Sequence, residues 1–211
     1  LHTIMKKLIL LSALLIFAYS SAQKINKNVD GYFEVYQTDL TIKEVNQKVV
    51  EWVSENYKSA KDVIELNTES KIILKGNFLI DMKVKNSNVN YRVSNTLTIS
   101  FREGKYKVDF IPTKISYNGT DVDSSQFNQF ITNDILSKEA YLEYSIEAAK
   151  NSFIKMGYSD KKSQKMVNKY VLPLADINYK NYIDNRKEWE YSIKTTFKSI
   201  DDSINSANDD W

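Results

Sequence analysis

The chain has no cysteine, one histidine, two prolines and five glycines in 211 residues. Each shortage excludes something. Without cysteine there is no disulfide framework, no thiolate nucleophile, no thiolate-bound zinc and no lipid-modified export cysteine. The single histidine, His2, lies within an N-terminal stretch that reads as a secretory signal. Met5 is followed by Lys6 and Lys7, an apolar run from Leu8 to Tyr19, and the small residues Ser20-Ser21-Ala22 ahead of Gln23. A membrane anchor needs about 20 apolar residues, and this run is shorter. The expectation is a signal peptide over residues 1–22, cleaved after Ala22, and a soluble periplasmic or secreted product with no integral membrane span.

Removal of that segment takes His2 with it. Ser-His-Asp triads, Cys-His nucleophiles, imidazole proton shuttles and zinc sites built on imidazole or thiolate are then excluded. Paired carboxylates, Ser-Lys pairs, tyrosine and oxygen-ligated metals remain as catalytic means. Lys6 and Lys7 leave as well, so the basic count falls from 29 to 27, equal to the 27 acidic residues. A chain with no net charge has no global field with which to collect nucleic acid. No cofactor motif is present, and none is expected.

What is there is periodicity. In "TIKEVNQKVVEWVSENY" the residues Ile42, Val45, Val49 and Trp52 recur at helical spacing, with Thr41 or Asp39 available as N-cap and Glu44 in the first turn. Period two follows. Ile72, Leu74, Phe78, Ile80 and Met82 share one face of a strand, as do Tyr91, Val93, Leu97, Ile99 and Phe101 in the next, and Tyr106, Val108 and Phe110 in a third. Clean alternation of this kind predicts antiparallel strands with one buried and one wet face. "YFEVYQ" after Gly31 is an earlier strand. Gly76 falls inside a strand pattern and predicts a bulge. Pro112 cannot donate to a ladder, and the apolar phase shifts at Ile111 and Ile115, so the third strand is expected to be an edge or interrupted there.

From Asp123 the helical period returns. Asp123 with Gln126 reads as a capping pair, and Ile135, Leu142, Ile146, Ala149 and Phe153 as a buried stripe ended by Gly157. "DKKSQKMVNKYVLPL" is a shorter helix ending near Pro173. Trp189, Ile193, Phe197, Ile200 and Ile204 mark a second long amphipathic helix, for which "DNRKEWE" and "KTTFKS" supply the solvated side. The expected division is residues 1–22 as signal, 23–120 as an α+β domain, and 121–211 as C-terminal helices on or beside its sheet.

The exported N-terminus ending "AQ", then "GYFEVYQ", "EWVSENY", "IILKGNF" and the hairpin "LTISFREGKYKVDF", resembles a secreted Bacteroidota family described as a domain of unknown function with a TATA-binding-protein-like fold. The resemblance covers about residues 30 to 118. It implies an α+β, TATA-binding-protein-like meander sheet and an exported compartment. The family pattern carries no catalytic signature, so it implies no functional residue.

Candidate chemistry outside the resemblance is sparse. "DVDSS" from Asp121 alternates oxygens like the start of a calcium loop, but Gln126 and Thr132 stand where Gly and Glu belong, and it reads as a turn. Asn118-Gly119-Thr120 fits a glycosylation acceptor and, more simply, a tight turn. Asp201, Asp202, Asp209 and Asp210 read as a solvated helix end. One surface stands out: the face opposite the apolar one, where Lys75, Arg92, Arg102 and Lys107 alternate with Ser, Thr and Asn. These four are the candidate binding residues. The expectation is an exported, non-catalytic binding or interaction module of the bacterial cell envelope, its partner an envelope component such as a protein. A carboxylate hydrolase, or a carrier holding an apolar ligand between sheet and helices, are the alternatives.

Overall fold

The computed structural model describes residues 25–27, 31–122 and 135–205. The signal segment, the Asp123/Gln126 pair, most of the calcium-like stretch and Asp209 and Asp210 lie outside the described residues. The elements are β1 (Asn26–Lys27), β2 (Tyr32–Gln37), α1 (Ile42–Asn56), α2 (Ala60–Val63), β3 (Ile64–Thr68), β4 (Lys71–Val84), β5 (Ser87–Arg102), β6 (Lys105–Tyr117), β7 (Thr120–Asp121), α3 (Lys138–Lys155), α4 (Asp160–Tyr170) and α5 (Ala175–Asn205), with a 3-10 turn at Leu172–Leu174 before α5. One seven-stranded sheet has the order β1-β2-β6-β5-β4-β3, with β7 also paired to β6. Every pairing is antiparallel.

Helix α1 starts where Thr41 accepts the Glu44 backbone N–H while the Glu44 carboxylate accepts the Thr41 N–H, a reciprocal capping box. Of the two possible caps, Thr41 is the one used. Helix α3 starts at the Ser137 cap, so Ile135 falls before it and is 53% exposed; Leu142, Ile146, Ala149 and Phe153 form a half-buried stripe without it. At its far end Tyr158 and Gly157 donate back to Phe153 and Ile154, and the chain turns.

The core lies on one face of the sheet. Ile72, Leu74, Val93, Leu97, Ile99, Val108 and Phe110 meet Val45, Val49 and Trp52 of α1 and Trp189, Ile193, Phe197 and Ile200 of α5, all buried. The strand phases read from the sequence are those observed. Trp52 donates its indole N–H to Ser199 Oγ at 2.9 Å, tying the two core helices together.

Two expectations need correction. No bulge occurs at Gly76, which pairs in register with Asn95. A Cβ at Gly76 would sit 3.0 Å from the Tyr57 hydroxyl, so the position is glycine to admit the Tyr57 ring. The slip occurs instead between β5 and β6, where Ser94 pairs with Lys114 but Asn95 with Pro112. Pro112 falls after Phe110, the last partner of β2, and before Ser116, the first partner of β7, where β6 is locally an edge. The second correction concerns "DNRKEWE", read as solvated. Arg186 is 1% exposed. It projects from α5 on the side that faces the sheet, since Tyr182, Arg186, Trp189 and Ile193 follow one another at steps of four, three and four.

Candidate functional site: the uncovered sheet face

Register places every predicted site residue on the face opposite the helices. Lys75 is opposite Thr96, Lys107 opposite Ser100, and Arg92 and Arg102 lie at the two ends of the same row of β5. No described helix packs on this face. It combines a polar middle with apolar flecks: Thr96 and Thr98 are half-buried beside Ile111 and Ile73, while Val35, Leu66 and Leu79 remain exposed.

The four predicted residues share the face without converging on a point. Arg92 and Arg102 are ten residues apart on one strand, about 33 Å at about 3.3 Å per residue. Lys75 Nζ is 2.5 Å from Glu65 Oε1. Lys107 Nζ is 2.5 Å from Asp109 Oδ1 and lies 4.7 Å from the centre of the Phe33 ring. Alternation puts Lys71 and Lys105 on the same surface too, although they are not among the four candidates. Lys71 pairs with Ser100, and Lys105 with Arg102, so both stand at the Arg102 end. There the cations of three strands come together, and Arg102 makes no ion pair among the described residues. Lys114, at the other end, is held by Asp121 at 2.8 Å.

Several groups elsewhere bear on chemistry. Asp81, Asp184 and Glu188 line an open groove of about 590 Å³ with Lys83 and Lys187. Lys83 Nζ lies 2.8 Å from Asp184, and its hydrogen bond holds that carboxyl below the usual carboxylate range, the opposite of what a general acid requires. A wider groove of about 930 Å³ between the start of α1 and the β3–β4 turn is lined mostly by polar side chains, including Asn46, Gln47 and Asn67. Beneath α5, Arg186 faces Glu190 at 3.5 Å, and Glu190 also accepts from Lys27 at 2.7 Å. Burial pushes the nearby Tyr32 hydroxyl up out of the ordinary tyrosine range, with the Arg186 charge opposing. This buried cluster ties α5 to the first strands. Among the described residues no group of three or more His, Cys, Asp or Glu is arranged to hold a metal ion. No described helix is long and apolar enough to cross a membrane.

Residues 33–118 match the family described as a domain of unknown function (DUF4468) with TBP-like fold. The architecture is α+β and TBP-like. A crystal structure of a DUF4468 family protein from Bacteroides ovatus aligns with a TM-score of 0.52 at 13% identity, over 89% of this chain and 94% of that one. A TBP-like protein from Parabacteroides distasonis aligns at 9% identity and a TM-score of 0.47, over 87% of this chain and 97% of that one. No curated protein matches the chain. The family match ends within the turn after β6, whereas the core of this TBP-like domain is completed by α5, beyond the matched residues. The family match agrees with the resemblance seen in the sequence.

Proposed function

We propose that the protein is an exported, non-catalytic binding module of the cell envelope that engages its partner through the uncovered sheet face. The observation that carries this reading is the face itself. A sheet with one covered side leaves the other for contact, and here that side mixes cations, hydroxyls and scattered apolar side chains. Such a surface offers hydrogen bonds, charge and desolvated stems together. The Arg102 end, with Lys105, Lys107 and Lys71 around it, points to an acidic region on the partner. Export rests on the Lys6-Lys7 head, the apolar run and the Ser20-Ser21-Ala22 site.

The test is capture from an envelope extract by the purified protein and by an Arg92→Ser, Arg102→Ser variant. The reading expects a retained component that the variant loses, with an unchanged melting curve, and retention by the parent protein that weakens with salt. Equal retention by both proteins would dismiss the face. Sequencing of the product made in its own host should begin at Gln23; Met5 intact in the membrane fraction would refute export.

A further inference from the structure

We infer that helix α4 docks this protein on the surface of an anionic lipid bilayer, its outward lysines lying on the headgroups and the turn before it dipping among them. This surface belongs to a different element from the uncovered sheet face.

Charge is spread unevenly along the chain. Residues 150–170 hold six lysines and a single acid, Asp160, in a chain with 29 basic and 27 acidic residues. Lys150 takes that acid at 2.7 Å. Lys161, Lys162, Lys165 and Lys169 of α4 are all exposed, and none of them makes an ion pair among the described residues.

Helix geometry gathers these four charges. The residues that α4 buries are Ser163 and Val167. At about 3.6 residues per turn the four lysines fall within about 100° of arc, and the middle of that arc lies opposite Ser163 and Val167. No acid and no apolar side chain interrupts the stripe. The lysines therefore point away from the body of the protein.

The hairpin of α3 and α4 carries the stripe away from the sheet. Helix α3 buries no residue. It is rooted at its start, where Tyr141 stacks on Tyr182 of α5 with centroids 4.8 Å apart, and α4 returns to the 3-10 turn that leads into α5. The opposite end is the turn between the two helices. There Met156 is 69% exposed and Ile154, just before it, 42%.

The tyrosines favour a bilayer over a dissolved polyanion. Lys162 Nζ lies 4.3 Å from the centre of the Tyr158 ring, and Lys169 Nζ 5.0 Å from that of Tyr170. One tyrosine thus stands at each end of the stripe. Tyrosine, with an apolar body and a polar tip, collects at headgroup level, where lysine stems also rest on apolar surface while their charges stay in water. A dissolved polyanion would use the charges and leave Met156 and Ile154 in water. Lysine is a compact charge on a flexible stem, so it follows mobile headgroups without the fixed fork that arginine brings. Attachment of this kind is reversible and superficial.

The deciding experiment is co-sedimentation of the protein, purified from its own host, with mixed phosphatidylcholine and phosphatidylglycerol vesicles and with phosphatidylcholine vesicles alone. Expected are attachment to the mixed vesicles that fades as salt is raised, and none to phosphatidylcholine. Lys161→Glu with Lys165→Glu reverses two charges in the stripe and should weaken attachment by about tenfold or more. Lys58→Glu with Lys61→Glu makes the same change in net charge at exposed positions beside α2, and should stay within about twofold of the parent protein. If the first pair melts early, Lys161→Gln with Lys165→Gln removes the charges without reversing them, and a smaller loss is expected. Because the chain has no cysteine, Met156→Cys gives a single site for a polarity-sensitive dye. Its emission should shift to the blue on mixed vesicles and stay unmoved with dissolved polyglutamate. Equal attachment to both vesicle types, equal losses in the two Glu pairs, or a dye that does not shift would each overturn the proposal. Binding to polyglutamate with no attachment to vesicles would assign the stripe to an acidic polymer and overturn it as well.

Discussion

The Tyr106 hydroxyl on β6 donates to Asp201 Oδ1 on α5 at 2.6 Å, and the same carboxylate oxygen accepts from Asn205 at 2.8 Å. The Tyr106 ring stacks on Tyr36 with centroids 5.2 Å apart. Burial first, then the hydrogen bond to Asp201, pushes the Tyr106 hydroxyl above the tyrosine range. Tyr36 is raised by the same causes, with Glu34 as its acceptor. A raised folded-state value means the native state keeps its proton where the unfolded chain has lost it. The stability contributed is complete below about pH 10, where the unfolded tyrosine ionises, and declines as the pH climbs above that point. Denaturant melts followed from pH 8 to 11 should show this decline, and Tyr106→Phe should make it shallower while costing about 1 kcal/mol at neutral pH.

Gly31 and Gly76 should respond differently to alanine. A Cβ at Gly31 would lie 2.1 Å from the Phe110 carbonyl oxygen, and backbone on a paired strand has little room to retreat. At Gly76 the obstacle is the tip of the Tyr57 side chain. Gly31→Ala should cost about 3 kcal/mol and Gly76→Ala about 1 kcal/mol. Adding Tyr57→Leu should relieve the second and leave the first unchanged in a double-mutant comparison by thermal unfolding.

Arg186 and Glu190 should not be equivalent. Replacing Arg186 by Met removes a buried charge together with its desolvation cost, and the change in stability should be within about 1 kcal/mol of neutral. Glu190→Ala leaves Arg186 and Lys27 without their shared acceptor. Since Glu190 retains 25% exposure, the expected loss is about 2 kcal/mol, below that of a fully buried pair. Equal losses in the two variants would show that packing of the arginine stem governs the site.

A fragment ending at Asn118 lacks the whole of α5. Val108, Phe110, Val93 and Leu97 would then lose the cover of Trp189, Ile193 and Phe197. The fragment should bind a hydrophobic dye and self-associate. A monomeric fragment with a cooperative melt would show that the strands and α1 suffice.

How much of this was legible depends on the reach of each signal. The phases of β4, β5 and β6 were readable because a sheet with one wet face writes its burial directly into alternate residues, as from Leu97 to Phe101. The Thr41 cap and the Trp189 stripe were readable because their partners are three or four residues away. Arg186 was not, since a charged residue on an apolar stripe declares itself only once Glu190 and the covering strands are in place. The reason for Gly76 was hidden for the same cause: Tyr57 comes from another element. The candidate site was legible as a face and illegible as a site, because alternation fixes which side Arg92 and Arg102 take but not how far apart they stand. The capture of Lys83 by Asn185 spans 102 positions and leaves no local trace.

The placement of α5 sets the order in which the molecule can be completed. It crosses the whole sheet, from Lys83 at one rim to Gln37 at the other, where Asn205 Nδ2 reaches the Gln37 carbonyl at 3.4 Å. It is also synthesised after every strand it covers. During synthesis the apolar side of the sheet must therefore wait without its main cover, and closure joins residues up to 168 positions apart. Long-range contacts of this kind slow folding, and a face left open in the meantime invites association with other chains. A nascent chain in this state stays unlocked until α5 arrives, so substitutions such as Trp189→Ala should lower the yield of folded protein more than their effect on the melting temperature alone accounts for.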